Sequence, residues 1–396
     1  MRFIIFFVVW SSILGLGYWY VGKRVINAAQ FTHRRRAVAW AVVGLFFIVP
    51  QAPFLFFLNR IQTTWVDELS LIGYLVLGFF TLVVTFFVLR DLVLLITRGV
   101  DSLHVRIRSD KSPSPTFSKD RRRFLVHASN IGIVAASAAM TGYGLMQAKR
   151  TPALETVEIP LADLPEEFDG FRILQFSDLH VGPTIKRDYV EHVAQQIHAV
   201  NADMIAFTGD LVDGSVSWLA DDVAPLKELH APFGKFFVTG NHEYYSGVEE
   251  WVVEAGRLGF DVLNNEHRII TKGNARVILA GVTDYGGEDF LRSHRSDPAA
   301  AIATAPQHVK KILLAHQPRS IFAAEQCGYD VQLSGHTHGG QYFPGNYLAR
   351  LNQPYITGLH RRKNTSVYVN RGVGYWGPPL RLGAPPELTL VTLKKA

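Results

Sequence analysis

Three long apolar runs limit what the first third of this chain can become. Phe3 to Val21 is almost wholly apolar and rich in aromatics, Ala37 to Leu58 is a second run, and Leu71 to Leu89 is the core of a third that extends to Ile96. Each reaches the roughly 17–25 residues with which a helix crosses a bilayer, where backbone polar groups must be satisfied within the segment itself. A fourth stretch, Phe124 to Met146, is milder, with His127, Ser129 and Asn130 among many Ala and Gly residues. None reads as a cleavable leader, because further hydrophobic spans follow. Residues 1–150 are thus expected to be an all-α membrane region with three to four spans, at about 3–21, 37–58, 71–96 and 124–146.

Basic residues orient these spans. Lys23, Arg24, Arg34, Arg35 and Arg36 lie between the first two, and Arg98, Arg106, Arg108, Lys111, Lys119 and Arg121-Arg122-Arg123 follow the third. Such clusters stay in the cytoplasm. A fourth crossing then places the rest of the chain on the outer, periplasmic face of the cytoplasmic (inner) membrane; without it that part is cytoplasmic. Arg121-Arg122-Arg123-Phe124-Leu125 also resembles a twin-arginine export signal, with an ordinary positive-inside cluster as the alternative. Ser112-Pro-Ser-Pro-Thr116 reads as a linker. No internal repeat is evident.

Net charge divides the same way. Residues 1–150 hold 18 Lys and Arg against six Asp and Glu, which leaves 22 against 28 for residues 151–396. The overall +6 is an average over two unlike parts, so it does not point to nucleic acid and no nucleic-acid partner is expected. A single cysteine, Cys327, excludes an intrachain disulfide and a thiolate metal cluster.

Residues 151–396 read as an α/β domain with a recurring unit, in which a short apolar strand delivers polar residues at its C-terminal end. Arg172 to Phe176 leads to Asp178 and His180, and Met204 to Phe207 leads to Asp210. Phe236 to Val238 leads to Asn241, Ile312 to Ala315 to His316, and Tyr329 to Leu333 to Ser334-Gly-His-Thr-His-Gly-Gly-Gln341. Helical spacing from Asp188 to Val200 and from about Trp218 to Leu229 supplies crossovers. Ligands of such sheets sit at the carboxyl ends of the strands. In that last octamer, strand alternation would point His336 and His338 to one side. Asp178, His180, Asp210, Asn241, His316, His336 and His338 thus form a candidate metal set without thiolate. Imidazole mixed with oxygen suits Zn, Mn or Fe. Seven ligands exceed one tetrahedral zinc and suit two metals sharing a carboxylate, as in phosphoester cleavage.

Asp178-Leu-His180, Gly209-Asp-Leu-Val-Asp213, Gly240-Asn-His-Glu243, His316 and Gly335-His-Thr-His338 together resemble the calcineurin-like metallophosphoesterases. With several spans ahead, the chain is most similar to a membrane-anchored bacterial phosphodiesterase branch. The resemblance covers most of residues 165–393 and implies two packed mixed β-sheets flanked by helices. It implies one metal on Asp178, His180 and His338, a second on Asn241, His316 and His336, and Asp210 bridging. It also implies attack on phosphorus by a metal-bound hydroxide, with His242 as the catalytic acid and Asp213 keeping it protonated. Glu243 is expected to support the site or cap a helix.

The protein phosphatases of this superfamily carry Arg directly after the second Asp of the Gly-Asp-x-x-Asp motif; Gly214 stands here. Arg371 or Arg381 is expected to supply the missing guanidinium, or else to be a salt-bridged surface residue. Tyr375-Trp376 and the basic His360-Arg-Arg-Lys363 point towards membrane lipids, or are packing and a solvated loop. The expected activity is hydrolysis of a phosphodiester, with a lipid-linked phosphate as one substrate class. The alternatives are a cytoplasm-facing pyrophosphatase acting on a nucleotide-linked lipid precursor, and a metal-binding sensor domain without catalysis.

Overall fold

The computed structural model describes residues 2–108 and 118–396, so the expected linker at Ser112 to Thr116, with Lys111, lies outside the described residues. Two compact units are formed, Met1–Tyr143 and Gly144–Ala396.

The first unit is helical: α1 (Arg2–Ala28), α2 (His33–Ile48), α3 (Ala52–Leu58), α4 (Thr64–Arg108) and most of α5 (Lys119–Ala148). Pro50 sits in the turn that separates α2 from α3, where a residue without an N–H cannot continue a helix unbroken, and Pro53 sits in the first turn of α3, where a missing N–H is tolerated. His33–Leu58, Thr64–Leu103 and Asp120–Ala148 are long and apolar enough to cross a membrane, with mean hydropathies of 2.2, 2.5 and 1.4. Tyr18 of α1 stacks on Phe80 of α4 with ring centroids 3.5 Å apart. Asp91 accepts the Tyr20 hydroxyl at 2.6 Å and pairs with both Arg24 and Arg90, and Arg90 donates to Asn130 Oδ1 at 2.5 Å. Asp91 and Arg90 together thus tie α1, α4 and α5, the pairing ionisable groups need in apolar surroundings.

The second unit holds two six-stranded mixed sheets. In the first, β1 (Ala153–Leu161) runs parallel to β12 (Glu387–Lys395), which is antiparallel to β2 (Arg172–Phe176). Then β3 (Met204–Phe207), β4 (Lys235–Phe237) and β5 (Asp261–Val262) follow in parallel. The second sheet runs β10 (Gly358–Arg362), β11 (Thr365–Val369), β9 (Val331–Ser334), β8 (Lys310–Leu314), β7 (Ala275–Gly281), β6 (Glu266–Lys272).

Alternation sorts the strand residues between two cores. Ile173, Ala206 and Phe236 face Leu279, Ile312 and Leu333 of the other sheet. Leu174, Ile205 and Phe237 point outward, under α6 (Arg187–Ala199), α7 (Val216–Val223) and α9 (Val248–Arg257). There Val190, Val193 and Ile197 of α6, spaced at helical period, bury beside Trp251. Each such side chain contributes about 1.5–3 kcal/mol. The expected helix from Trp218 to Leu229 is shorter: α7 stops at Val223 and a 3-10 turn, Ala224–Glu228, takes over around Pro225. The short helices α8 (Asn241–Ser246), α10 (Pro298–Ala301), α11 (Ile321–Gln326) and α12 (Gly345–Asn352) complete the unit.

Register sets the level of the site. Phe176 lies beside Phe207 and Phe207 beside Phe237, so β2, β3 and β4 end in line. In the second sheet Leu314 lies beside Leu333, aligning the ends of β8 and β9.

Candidate metal centre

At those aligned ends the backbone bends in a way most residues avoid. Asp178, His180, Asp210, His336 and His338 have φ of 56°, 52°, 58°, 72° and 51°. Left-handed backbone outside glycine costs on the order of 1–3 kcal/mol per residue and clusters at functional sites. The expected strand alternation at His336 and His338 does not hold, because β9 stops at Ser334. Left-handed turns, not a pleat, aim both rings. Gly240 is needed for close approach: a Cβ there would lie 2.2 Å from Asp210 Oδ1.

The side chains converge in three overlapping groups, Asp178 with His180 and His338, Asp210 with His316 and His336, and His180 with Asp210 and His242. His180 Nε2 stands 3.0 Å from His338 Nε2, and His336 Nδ1 stands 3.2 Å from His316 Nε2. Asp210 Oδ2 is 3.1 Å from His316 Nε2 and 3.7 Å from His180 Nε2, so it lies between the groups. Asn241, the first residue of α8, buries its Oδ1 without a hydrogen-bond partner.

Electrostatics prepares some of these groups as ligands, although, against its burial, Asp210 lifts the His316 imidazole to about 10. Burial, reinforced by His316, drives the His336 imidazole down to about 3, and burial and Arg381 drive His338 well below its ordinary value, leaving both rings neutral. Burial opposes ionisation of Asp210, but His316, His242 and His180 overcome it and hold the carboxyl well below the usual range. The Nδ1–H of His316 donates to the Thr208 carbonyl at 2.7 Å, turning Nε2 inward. Paired imidazole nitrogens, an orphaned amide oxygen and buried carboxylates fit a divalent cation.

His242 pairs through Nδ1 with Asp213 Oδ1, and the other oxygen of Asp213 lies 3.2 Å from His180 Nδ1. Burial lowers the His242 imidazole, yet Asp213 and Asp210 lift it to about 9. Glu243 is wholly buried; its carboxylate accepts the amides of Asp210 (3.0 Å), Leu211 (2.7 Å) and Gly240 (2.7 Å). It caps α8 and clamps the Asp210 turn at once.

Neither expected guanidinium substitute reaches out for phosphate. Arg381 is 1% exposed and donates to the carbonyls of His338 and Gly374, with Nη2 2.9 Å from His338 Nδ1. Arg371 pairs with Glu155 and Glu387. Its buried anchoring role gives Arg381 no recognisable sequence signal beyond an arginine among prolines and glycines. Around His242 the rings of Tyr245 and Trp376 approach to 5.1 and 5.7 Å.

The profile of the calcineurin-like phosphoesterase family matches residues 171–340. The chain is 32% identical over 401 residues to the transmembrane protein with metallophosphoesterase domain of Danio rerio, covering 98% of this chain and 88% of that one. It is 34% identical over 282 residues to an uncharacterized metallophosphoesterase of Helicobacter pylori, with 70% and 73% covered. With the uncharacterized metallophosphoesterase YkuE of Bacillus subtilis it shares 33% over 288 residues, covering 69% and 97%. A phosphoric ester hydrolase domain of a class that uses divalent metals therefore follows helices apolar enough for membrane association. The chain belongs to the calcineurin-like phosphoesterase family.

Proposed function

We propose that this chain hydrolyses phosphodiesters at a dinuclear metal site, held at the outer face of the cytoplasmic membrane by four N-terminal spans. The observation that carries the reading is the Asp213–His242 pair set directly against the cluster of ligand groups. Asp178, His180 and His338 would hold one divalent cation and Asn241, His316 and His336 a second, with Asp210 shared; Mn, Zn and Fe suit these donors. The chemistry such ions supply is polarisation of a phosphoryl oxygen and a water acidic enough to attack phosphorus.

The protein's own groups do the rest. Asp213 keeps His242 protonated, and the free edge of that ring donates to the departing oxygen. The neutral Asn241 limits the negative charge that faces an anionic substrate. Gly214 and the engagement of Arg371 and Arg381 leave no dedicated guanidinium, which favours a singly charged diester over a phosphomonoester with nearly two charges. Tyr245 and Trp376 beside His242 suit a substrate with apolar bulk.

The test is the detergent-solubilised full chain, stripped of metal and reloaded with manganese, assayed on bis(p-nitrophenyl) phosphate and on the matching monoester. Metal-dependent cleavage of the diester, lost in Asn241→Ala, is expected. Two bound metals without hydrolysis of either compound would overturn the reading in favour of a narrow pyrophosphatase or a sensor.

A further inference from the structure

The turn that carries His336 and His338 also supports an element with no buried side. α12 (Gly345–Asn352) rests its backbone on that turn: a Cβ at Gly340 would lie 2.1 Å from Asn346 Cα. None of its residues is buried, and Tyr347, Leu348 and Leu351 are 63, 61 and 84% exposed. Three large apolar side chains on an eight-residue surface helix form a patch that water disfavours.

The same turn fixes the exposed Trp376. Its N–H donates to Gln341 Oε1 at 3.0 Å, and the Gln341 amide donates back to the Trp376 carbonyl at 3.0 Å. Tyr245, which packs near both His242 and the exposed Phe290, extends the apolar rim. Thus the mouth of the site and α12 share one anchoring turn.

Charge identifies the occupant. From Val331 to Pro386 the sequence has six Lys and Arg and no Asp or Glu, leaving 16 against 28 in the rest of residues 151–396. Arg362 and Lys363 pair with Glu325, Arg371 with Glu387, and Arg381 is buried. Arg350 on α12 and Arg361 on β10, an edge strand that also exposes Leu359, face solvent. Leu and Tyr beside Arg350 on α12, with Trp376 on the same anchoring turn, have the composition of surfaces that lie in the headgroup layer of an anionic bilayer. The chain brings its own helices able to cross a membrane.

We infer that α12 and the Trp376 rim dock into the interfacial layer of an anionic bilayer, so that the site takes the phosphate of a lipid headgroup. The docking stands on this surface alone; the lipid as substrate rests on the hydrolase reading above.

The full chain, with Cys327→Ser, is reconstituted into phosphatidylcholine–phosphatidylglycerol vesicles with an environment-sensitive fluorophore at Leu351→Cys, or at Asp221→Cys on α7 as control. Quenching by doxyl-labelled lipids at position 351, several-fold above position 221, is expected. Equal quenching at both positions overturns the docking, as does protection at 351 that follows protein-to-protein crosslinking instead, which would make α12 an interface between copies. The Leu348→Asp/Leu351→Asp variant should turn over bis(p-nitrophenyl) phosphate as the parent does, while cleavage of a vesicle-borne phospholipid diester falls at least about 10-fold. Quenching at 351 with no lipid cleavage by the parent overturns the lipid substrate alone. Loss of the soluble diester reaction in the parent would instead strike the hydrolase reading.

Discussion

Asp213 sets one carboxylate against two histidines: Oδ1 pairs with His242 Nδ1 and Oδ2 lies 3.2 Å from His180 Nδ1. The acid that would serve the leaving group and a ligand of the metal cluster are therefore set by the same side chain. His242→Asn should lower kcat for the diester by about 10²–10⁴-fold, the usual worth of a general acid, with metal content unchanged. Asp213→Asn should lower kcat similarly and also weaken metal retention, because His180 loses the negative charge beside its Nδ1. Metal analysis beside kinetics separates the two variants; equal metal content in both would show that the His180 contact does nothing.

Glu243 is a single point of failure for the Asp210 turn. Its carboxylate satisfies three buried amides, of Asp210, Leu211 and Gly240. Burial and the nearby Asp210 push its carboxyl up to about 8, against the pull of those amides. Glu243→Ala would strand the amides at about 1–3 kcal/mol each. The expected outcome is a melting temperature lowered by roughly 10 °C or more and loss of metal, whereas Glu243→Gln, which keeps one acceptor, should fall between. Thermal unfolding with metal analysis on the same samples checks this.

How far the sequence could be read depends on how local each signal is. The strands that deliver Asp178, Asp210 and His316 announce themselves as short apolar runs closed by a polar residue, and the structure brings Asp178, His180, Asp210, His316, His336 and His338 together beyond those strand ends. The pairing of β1 with β12 joins residues more than 200 positions apart, and no local pattern encodes it. Glu243 caps a helix and supports the site as expected, but Arg381 acts through backbone groups, which a sequence does not display. The left-handed turns at His336 and His338 were equally hidden, since neither residue is a glycine. Pro225, by contrast, is a local signal: it stands in the sequence just past the point where α7 ends.

Arg381 supplies a test of that hidden layer. It is wholly buried, and its donors meet the carbonyls of His338, Gly374 and Ala384. Arg381→Met leaves those carbonyls bare, at about 1–3 kcal/mol for each one stranded, so lower stability is expected. Because Nη2 also meets His338 Nδ1 at 2.9 Å, metal affinity should drop with stability. Arg381→Lys, which keeps the charge but not the planar fork, should recover less than half of either. Full recovery by lysine would mean that charge alone matters there.

Lys235 gives the second unit a pH dependence away from the metal groups. Its ammonium is buried on β4, where it donates to the carbonyls of Leu226 and Lys227 at 3.0 Å each and lies over the Phe260 ring. Burial lowers it from 10.5 to about 8, with only Glu228 pulling the other way. Between about pH 8 and 10.5 the unfolded chain therefore binds more protons at this position than the folded one, and stability rises with pH across that window. Below pH 8 both states are charged and the dependence vanishes. Lys235→Met should remove this rise, because methionine does not titrate. Calorimetric melting of the full chain at pH 7, 8.5 and 10 tests both statements, and a rise that persists in the methionine variant would assign it to another group.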